Sequence, residues 1–243
     1  MWNERRRITV GALAGVAVLG MLAVAALPDD REDGDGAEAT RPAVAVSSPS
    51  GVETSPAPTA GSGPPVWEGP TPPPVDMRLA MGSAQAPVTI VEFGDFRCPK
   101  CRTFAQDIAP VLRRKYVEPG VVRMFWRDYP IRGRASEAAA VAARAASRQG
   151  RFWEFHDVLY SGEVRLDGDG LREAARRAGL DVGRFDADRR DKAVREAVAM
   201  DMEFALRLGM PGTPAFLING ELLFGAQPVA AFEKAIEKAR RER

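Results

Sequence analysis

The 243-residue chain has two cysteines, and both lie in the stretch Phe96-Arg97-Cys98-Pro99-Lys100-Cys101. A Cys-Pro-Xaa-Cys arrangement after an apolar strand and at the head of a helix is built for thiol–disulfide exchange more than for bracing a turn. So short a ring removes little entropy from the unfolded chain, so a purely structural bridge would add little stability. Proline at the first helical position costs no hydrogen bond, which puts Cys98 at the helix N-terminus beside free backbone donors. The positive end of the helix dipole favours a thiolate there, and the Lys100 side chain adds positive charge. Cys98 then becomes a good leaving group, and a Cys98–Cys101 disulfide is readily opened by another thiol.

Such a pair needs a strand behind it and a helix in front. Val88 to Phe93, β-branched and bounded by Pro87 and Gly94, reads as a buried central strand. Glu92 interrupts it. A carboxylate there either sits at an exposed end or is buried for chemistry, where a raised pKa would let it shuttle a proton to a thiol. Asp95 reads as a turn or cap residue. Phe104, Ile108, Val111 and Leu112 mark the helix from Pro99 to Lys115, and Pro110 predicts a kink between Gln106 and Ala109. Val121 to Trp126 is a second strand, completing a βαβ unit.

From Ala135 to Leu208 the patterns are helical: Ala135–Gln149, the aromatic run Phe152–Tyr160, Leu171–Ala178 and Lys192–Leu208. The aromatic run reads as core, with His156 as a structural polar group. Gly209 to Pro214 then turns the chain into a hairpin, Ala215–Ile218 and Glu221–Phe224 around Asn219-Gly220. A closing amphipathic helix carries Phe232, Ile236 and Ala239.

The first third is not domain-like. Residues 1–27 place Arg5-Arg6-Arg7 before twenty uncharged residues, Ile8 to Leu27, which read as a transmembrane anchor with the basic flank inside. A cleaved signal peptide is the rival reading. Residues 28–75 carry eleven of the nineteen prolines and eight acidic residues against two arginines, and read as a disordered linker. Residues 76–243 form the catalytic domain, which either reading of the N-terminus places in an oxidising compartment outside the cytoplasm.

Several chemistries are excluded. The single histidine leaves no hydrolase triad, and no Gly-Xaa-Ser-Xaa-Gly elbow is present. The cysteines and His156 lack zinc spacing, so no metal site and no cofactor is expected. Asp167-Gly168-Asp169-Gly170 starts like a calcium loop, but Leu171 stands where an oxygen ligand belongs, and a turn with a helix cap fits better. The net charge of +1 comes from interspersed acids and bases, which is no nucleic-acid signature.

Cys98-Pro99-Lys100-Cys101 after a strand, Gly212-Thr213-Pro214 before a hairpin, and helices inserted between them resemble the thioredoxin fold of the DsbA-like thiol–disulfide oxidoreductases. The resemblance runs from about Met81 to Arg240. It implies an α/β thioredoxin fold with a helical insertion at about 135–208 between the βαβ and ββα halves. Within it, Cys98 is the exposed nucleophile and Cys101 the buried resolving cysteine. Thr213 and Pro214 form the cis-proline loop that pairs with substrate, Glu92 matches the family's buried acid, and Pro99 and Lys100 tune the thiolate. The implied activity is oxidation of exported proteins with free cysteines, with reoxidation by a quinone-linked membrane partner of the DsbB or vitamin K epoxide reductase kind. Lys100 departs from the Pro-His pair of the strongest oxidants, so a reductase or isomerase of the same fold stays open, as does a copper-handling module.

Overall fold

The computed structural model describes residues 69–242. The anchor, and the part of the linker before Gly69, lie outside the described residues. Among the described residues no helix is long and apolar enough to cross a membrane.

Five strands form one mixed sheet in the order β1-β3-β2-β4-β5. The β-branched run makes the central β2 (Val88–Gly94), which pairs in parallel with β3 (Val122–Asp128) and antiparallel with β4 (Ala215–Ile218). The edges are β1 (Ala80–Met81), too short to leave a sequence signal, and β5 (Glu221–Phe224). Asn219 and Gly220 both have positive φ, 46° and 94°, as a two-residue hairpin turn matched to the strand twist requires. Register places Glu92 opposite Trp126 on one side and Phe216 on the other, so these three share a row on one face.

That face receives the helix that begins at the cysteines. It starts as α1 (Pro99–Thr103), widens into a π-helical turn at Phe104–Ile108, returns to α2 (Ala109–Leu112) and widens again at Arg113–Val117. The first wide turn coincides with the kink predicted from Pro110, because proline has no N–H to close the preceding turn. Phe104 packs on Phe216 with ring centroids 4.5 Å apart and on Phe232 at 5.3 Å. Phe232 belongs to α8 (Val229–Arg241), which covers the same core.

Between the two halves lie α3 (Arg134–Ser147), α4 (Phe152–Ser161), α5 (Gly168–Arg177), α6 (Val182–Arg190) and α7 (Lys192–Arg207). No apolar periodicity announces α6; an Asp181 side-chain cap starts it, and Phe185 anchors it 5.4 Å from the Phe155 ring. Asp167, the first residue of the supposed calcium loop, caps α5 by accepting the Gly170 N–H at 2.9 Å. On the other face of the sheet, α7 sends Phe204 against Phe93, Tyr129 and Met210.

A buried charge cluster ties these parts together. The Asp201 carboxylate on α7 accepts from Arg127 Nη1 at 2.6 Å, from the Asp128 N–H at 3.1 Å and from the Arg144 guanidinium of α3. Asp128 in turn holds Trp126 Nε1 at 2.8 Å. Arg127 also donates to the carbonyls of Pro73, at 2.9 Å, and Pro74, at 3.3 Å, so the last residues of the stretch read as linker are fastened to the domain.

Candidate active site

The turn between β2 and α1 is set by Asp95. Its carbonyl accepts the Cys98 N–H at 2.9 Å, while its buried carboxylate accepts the backbone N–H of Arg97 at 2.7 Å and of Arg132 at 2.9 Å. Asp95 is therefore a turn residue, as its position predicts, and it also fixes the β3–α3 loop to the cysteine turn. Cys98 takes the extended N-cap conformation, φ −77° and ψ 120°, with Pro99 in the first helical turn. Across the site the Cys98 thiol donates to the Thr213 carbonyl oxygen at 3.2 Å, 115 residues along the chain, and the Thr213–Pro214 peptide is cis. The loop carrying Thr213 covers the sulfur, so Cys98 is only 2% exposed, against the exposed nucleophile that the resemblance implies.

Both cysteines are free thiols, and their surroundings drive their acidities apart. The Cys98 pKa is lowered from 9.0 to about 5, chiefly by a hydrogen bond from the Cys101 side chain. Burial opposes that shift, while Thr213 and the backbone N–H groups of Cys101 and Lys100 support it. Lys100 thus enters through its backbone; its side chain is exposed. Cys101 is pushed well above 9.0 by burial first, then by its bond to Cys98 and by the Glu92 charge. A pair poised in this way holds one proton and one negative charge near neutral pH.

Glu92 is the buried alternative of the two that its position allowed, at 1% exposure. Its Oε1 has no hydrogen-bond partner, and desolvation raises its pKa to about 8, opposed by the Arg113 charge. An uncharged carboxyl beside the resolving thiol can give or take a proton at neutral pH. Because the native value lies above the usual 4.5, the proton's contribution to stability is complete below 4.5 and is lost progressively up to about 8. Reduced Glu92→Gln therefore gains on the parent protein across that window, by up to about 1.4 kcal/mol per pH unit. Urea unfolding at both ends of the window checks this, and parallel pH profiles would contradict the burial argument.

The structure brings Cys98, Pro99, Cys101, Thr213, Pro214 and Glu92 together and leaves only the Lys100 side chain apart. It also adds aromatic residues to which sequence reasoning gave no role at the site. Phe96 stacks on Trp126 at 5.0 Å and lies 5.1 Å from the ring of Tyr160, whose hydroxyl is buried beside Cys101. His156 is enclosed by the rings of Phe96, Trp126, Phe152, Trp153 and Tyr160, and its Nδ1 lies 2.8 Å from Asp157 Oδ1. The signal that could have singled out Tyr160 was its hydroxyl, which a buried aromatic run must accommodate. Gly94 permits this packing, since a Cβ there would stand 2.2 Å from the Trp126 ring.

Residues 75–238 match the thioredoxin family model. Over 171 residues the chain is 32% identical to a Bacillus cereus protein named probable disulfide bond formation protein D, covering 66% of this chain and 78% of that one. A thioredoxin-like oxidoreductase from Silicibacter pomeroyi superposes with a TM-score of 0.61 at 32% identity, covering 68% of this chain and 97% of that chain. Oxidised BdbD from Bacillus subtilis superposes at 0.63 and 22% identity, over 69% and 96%. With the cysteine pair at a helix tip, facing a cis-proline loop on a sheet of this order, the chain belongs to the thioredoxin family as a DsbA-like thiol–disulfide oxidoreductase.

Proposed function

We propose that this enzyme is an oxidase that introduces disulfides into exported proteins through a Cys98–Cys101 redox pair. The observation that carries the direction is the Cys98 pKa of about 5. A thiolate that stable favours the dithiol form over the disulfide, so the disulfide is a strong acceptor of electrons. A substrate thiolate attacks the Cys98 sulfur, the S–S bond breaks and the electron pair goes to Cys101. Glu92 supplies the proton that the buried Cys101 thiolate takes up. The substrate's second thiolate then attacks its own sulfur in the mixed disulfide, and Cys98 departs as the stabilised thiolate. Thr213 and Pro214 line the seam at which the substrate backbone docks; Pro99 opens the helix without needing an N–H partner, and Lys100 and Cys101 present backbone donors to Cys98.

The likeness to a disulfide bond formation protein supports this reading. We place the catalytic domain, residues 76–243, outside the cytoplasm on an anchor at residues 1–27 and a linker at 28–75. Reoxidation then falls to a quinone-linked membrane protein of the DsbB or vitamin K epoxide reductase kind.

Equilibration with glutathione buffers tests the direction. The expected reduction potential lies above about −200 mV, toward the oxidising end of the superfamily. A value near that of thioredoxin, about −270 mV, would make the enzyme a reductase.

A further inference from the structure

Two buried polar atoms beneath the cysteine pair lack a well-formed hydrogen bond in the dithiol form, Glu92 Oε1 and the Tyr160 hydroxyl oxygen, and the hydroxyl has the Cys101 thiol within reach as a weak partner. Tyr160 is 1% exposed, within an apolar cluster that includes Phe96, Cys98, Cys101 and Trp126. A phenol so weakly partnered in such a place is costly, and phenylalanine would fill the same volume without that cost. The ring is nevertheless firmly placed. Gln106 Nε2, in the wide turn that follows the cysteine helix, donates to the Tyr160 carbonyl at 2.8 Å and fastens the end of α4 to that helix. Phe96 and His156 hold the ring from two sides, at 5.1 and 4.8 Å. Cys101 is foremost among the charges that act on the hydroxyl, followed by Glu92 and Asp95.

We infer that the Tyr160 hydroxyl is a catalytic hydrogen-bond donor to the Cys101 sulfur, engaged when the Cys98–Cys101 disulfide opens and negative charge appears on that buried atom. This rests on the redox reading of the cysteine pair. In the dithiol form Cys101 is a neutral thiol and offers the phenol little. When a substrate thiolate bonds to Cys98 and the S–S electron pair moves to Cys101, a buried anion forms whose desolvation outweighs the support of the Asp95 backbone N–H. A fixed neutral donor is then worth most, since it stabilises the charge as it develops and adds little to the ground state. The phenol keeps its proton throughout. The proton that converts the Cys101 thiolate to a thiol comes from Glu92, which regains one from solvent. The net change is two electrons from the substrate dithiol to the enzyme disulfide.

The test is Tyr160→Phe, which keeps the ring. Opening of the enzyme disulfide by a dithiol peptide, followed by stopped-flow, is expected to slow about 10- to 100-fold, the range for a hydrogen bond to a charged group. The melting temperature should be equal or higher, because a poorly paired buried hydroxyl has gone. In a Cys101→Ala background, where no Cys101 anion forms, Tyr160→Phe should leave the reaction of Cys98 with an aromatic disulfide reagent unchanged. An unchanged opening rate overturns the inference, and so does an equal slowing of the Cys98 reaction in the Cys101→Ala background. If the phenylalanine variant fails to fold, a fluorinated tyrosine of the same shape and greater acidity at position 160 replaces it. A faster opening rate then supports donation, and an unaltered one overturns it. The redox reading fails separately, if Cys98→Ser retains turnover.

Discussion

Cys98→Ser lowers the rate of dithiol-peptide oxidation by at least about a thousand-fold, to the uncatalysed background, because the variant has no disulfide to offer and no thiolate to regenerate. Cys101→Ala behaves differently. It retains the reactive sulfur, so on treatment with a disulfide-bearing peptide it accumulates a mixed disulfide through Cys98, with no neighbouring thiol left to displace the peptide. The ultraviolet absorbance of the thiolate in the reduced parent protein titrates with a midpoint near the Cys98 value of about 5. In Cys101→Ala that midpoint rises, because the Cys101 side chain is the largest contributor to the lowering. The depressed pKa also fixes a pH dependence. Its contribution to the stability of the reduced form is fully present above the unfolded thiol's pKa and is lost as pH falls through about 5. Residual turnover in Cys98→Ser, or a Cys98 midpoint near that of a free thiol, would remove the basis of the oxidase reading.

The second large effect is on stability. Asp201→Asn removes one of two buried carboxylates that balance Arg127 and Arg144, leaving an uncompensated positive charge among β3, α3 and α7. Breaking a buried charge pair from one side costs about 3–5 kcal/mol, a large share of a domain stability of about 5–15 kcal/mol. For a domain of this size that lowers the melting temperature by about 6–20 °C. The exposed pair Lys192–Glu196 provides the contrast. Lys192→Ala should leave the melting temperature essentially where it is, since solvent screens an exposed pair and ordering its side chains offsets the attraction. If calorimetry finds the two shifts equal, the cluster contributes nothing beyond a surface pair. The cluster also reaches toward the chemistry: Asp128 fixes the Trp126 indole, and Trp126 stacks on Phe96, two residues before Cys98.

Much of the scaffold was legible locally. The β-branched run predicted β2 to within a residue, Asn219-Gly220 announced its hairpin, and Pro110 located the irregular turn of the helix. Each of these depends on one residue type in one backbone setting, which is why sequence carries it. Helix α6 and strand β1 were not legible. The first draws its burial from a single residue, Phe185, and the second is two residues paired to β3. Nothing in the pattern identified which of the many arginines and aspartates were buried, because burial of Arg144 with Asp128 and Asp201 exists only once three distant elements meet.

At the site the division is similar. The spacing of Cys98 and Cys101, with proline between them and a helix beginning there, left a copper-handling pair open but pointed by itself to thiol–disulfide exchange and to Cys98 as the thiolate. The tertiary structure decided how strongly. It placed Thr213 over the Cys98 sulfur, settled that Glu92 is buried, and turned Tyr160 from a core aromatic into a neighbour of Cys101. The physical reason is that helix capping is a property of adjacent residues. Desolvation and charge proximity, which set the acidities of Cys98, Cys101 and Glu92, arise only when strands and helices far apart in the chain close over the pair.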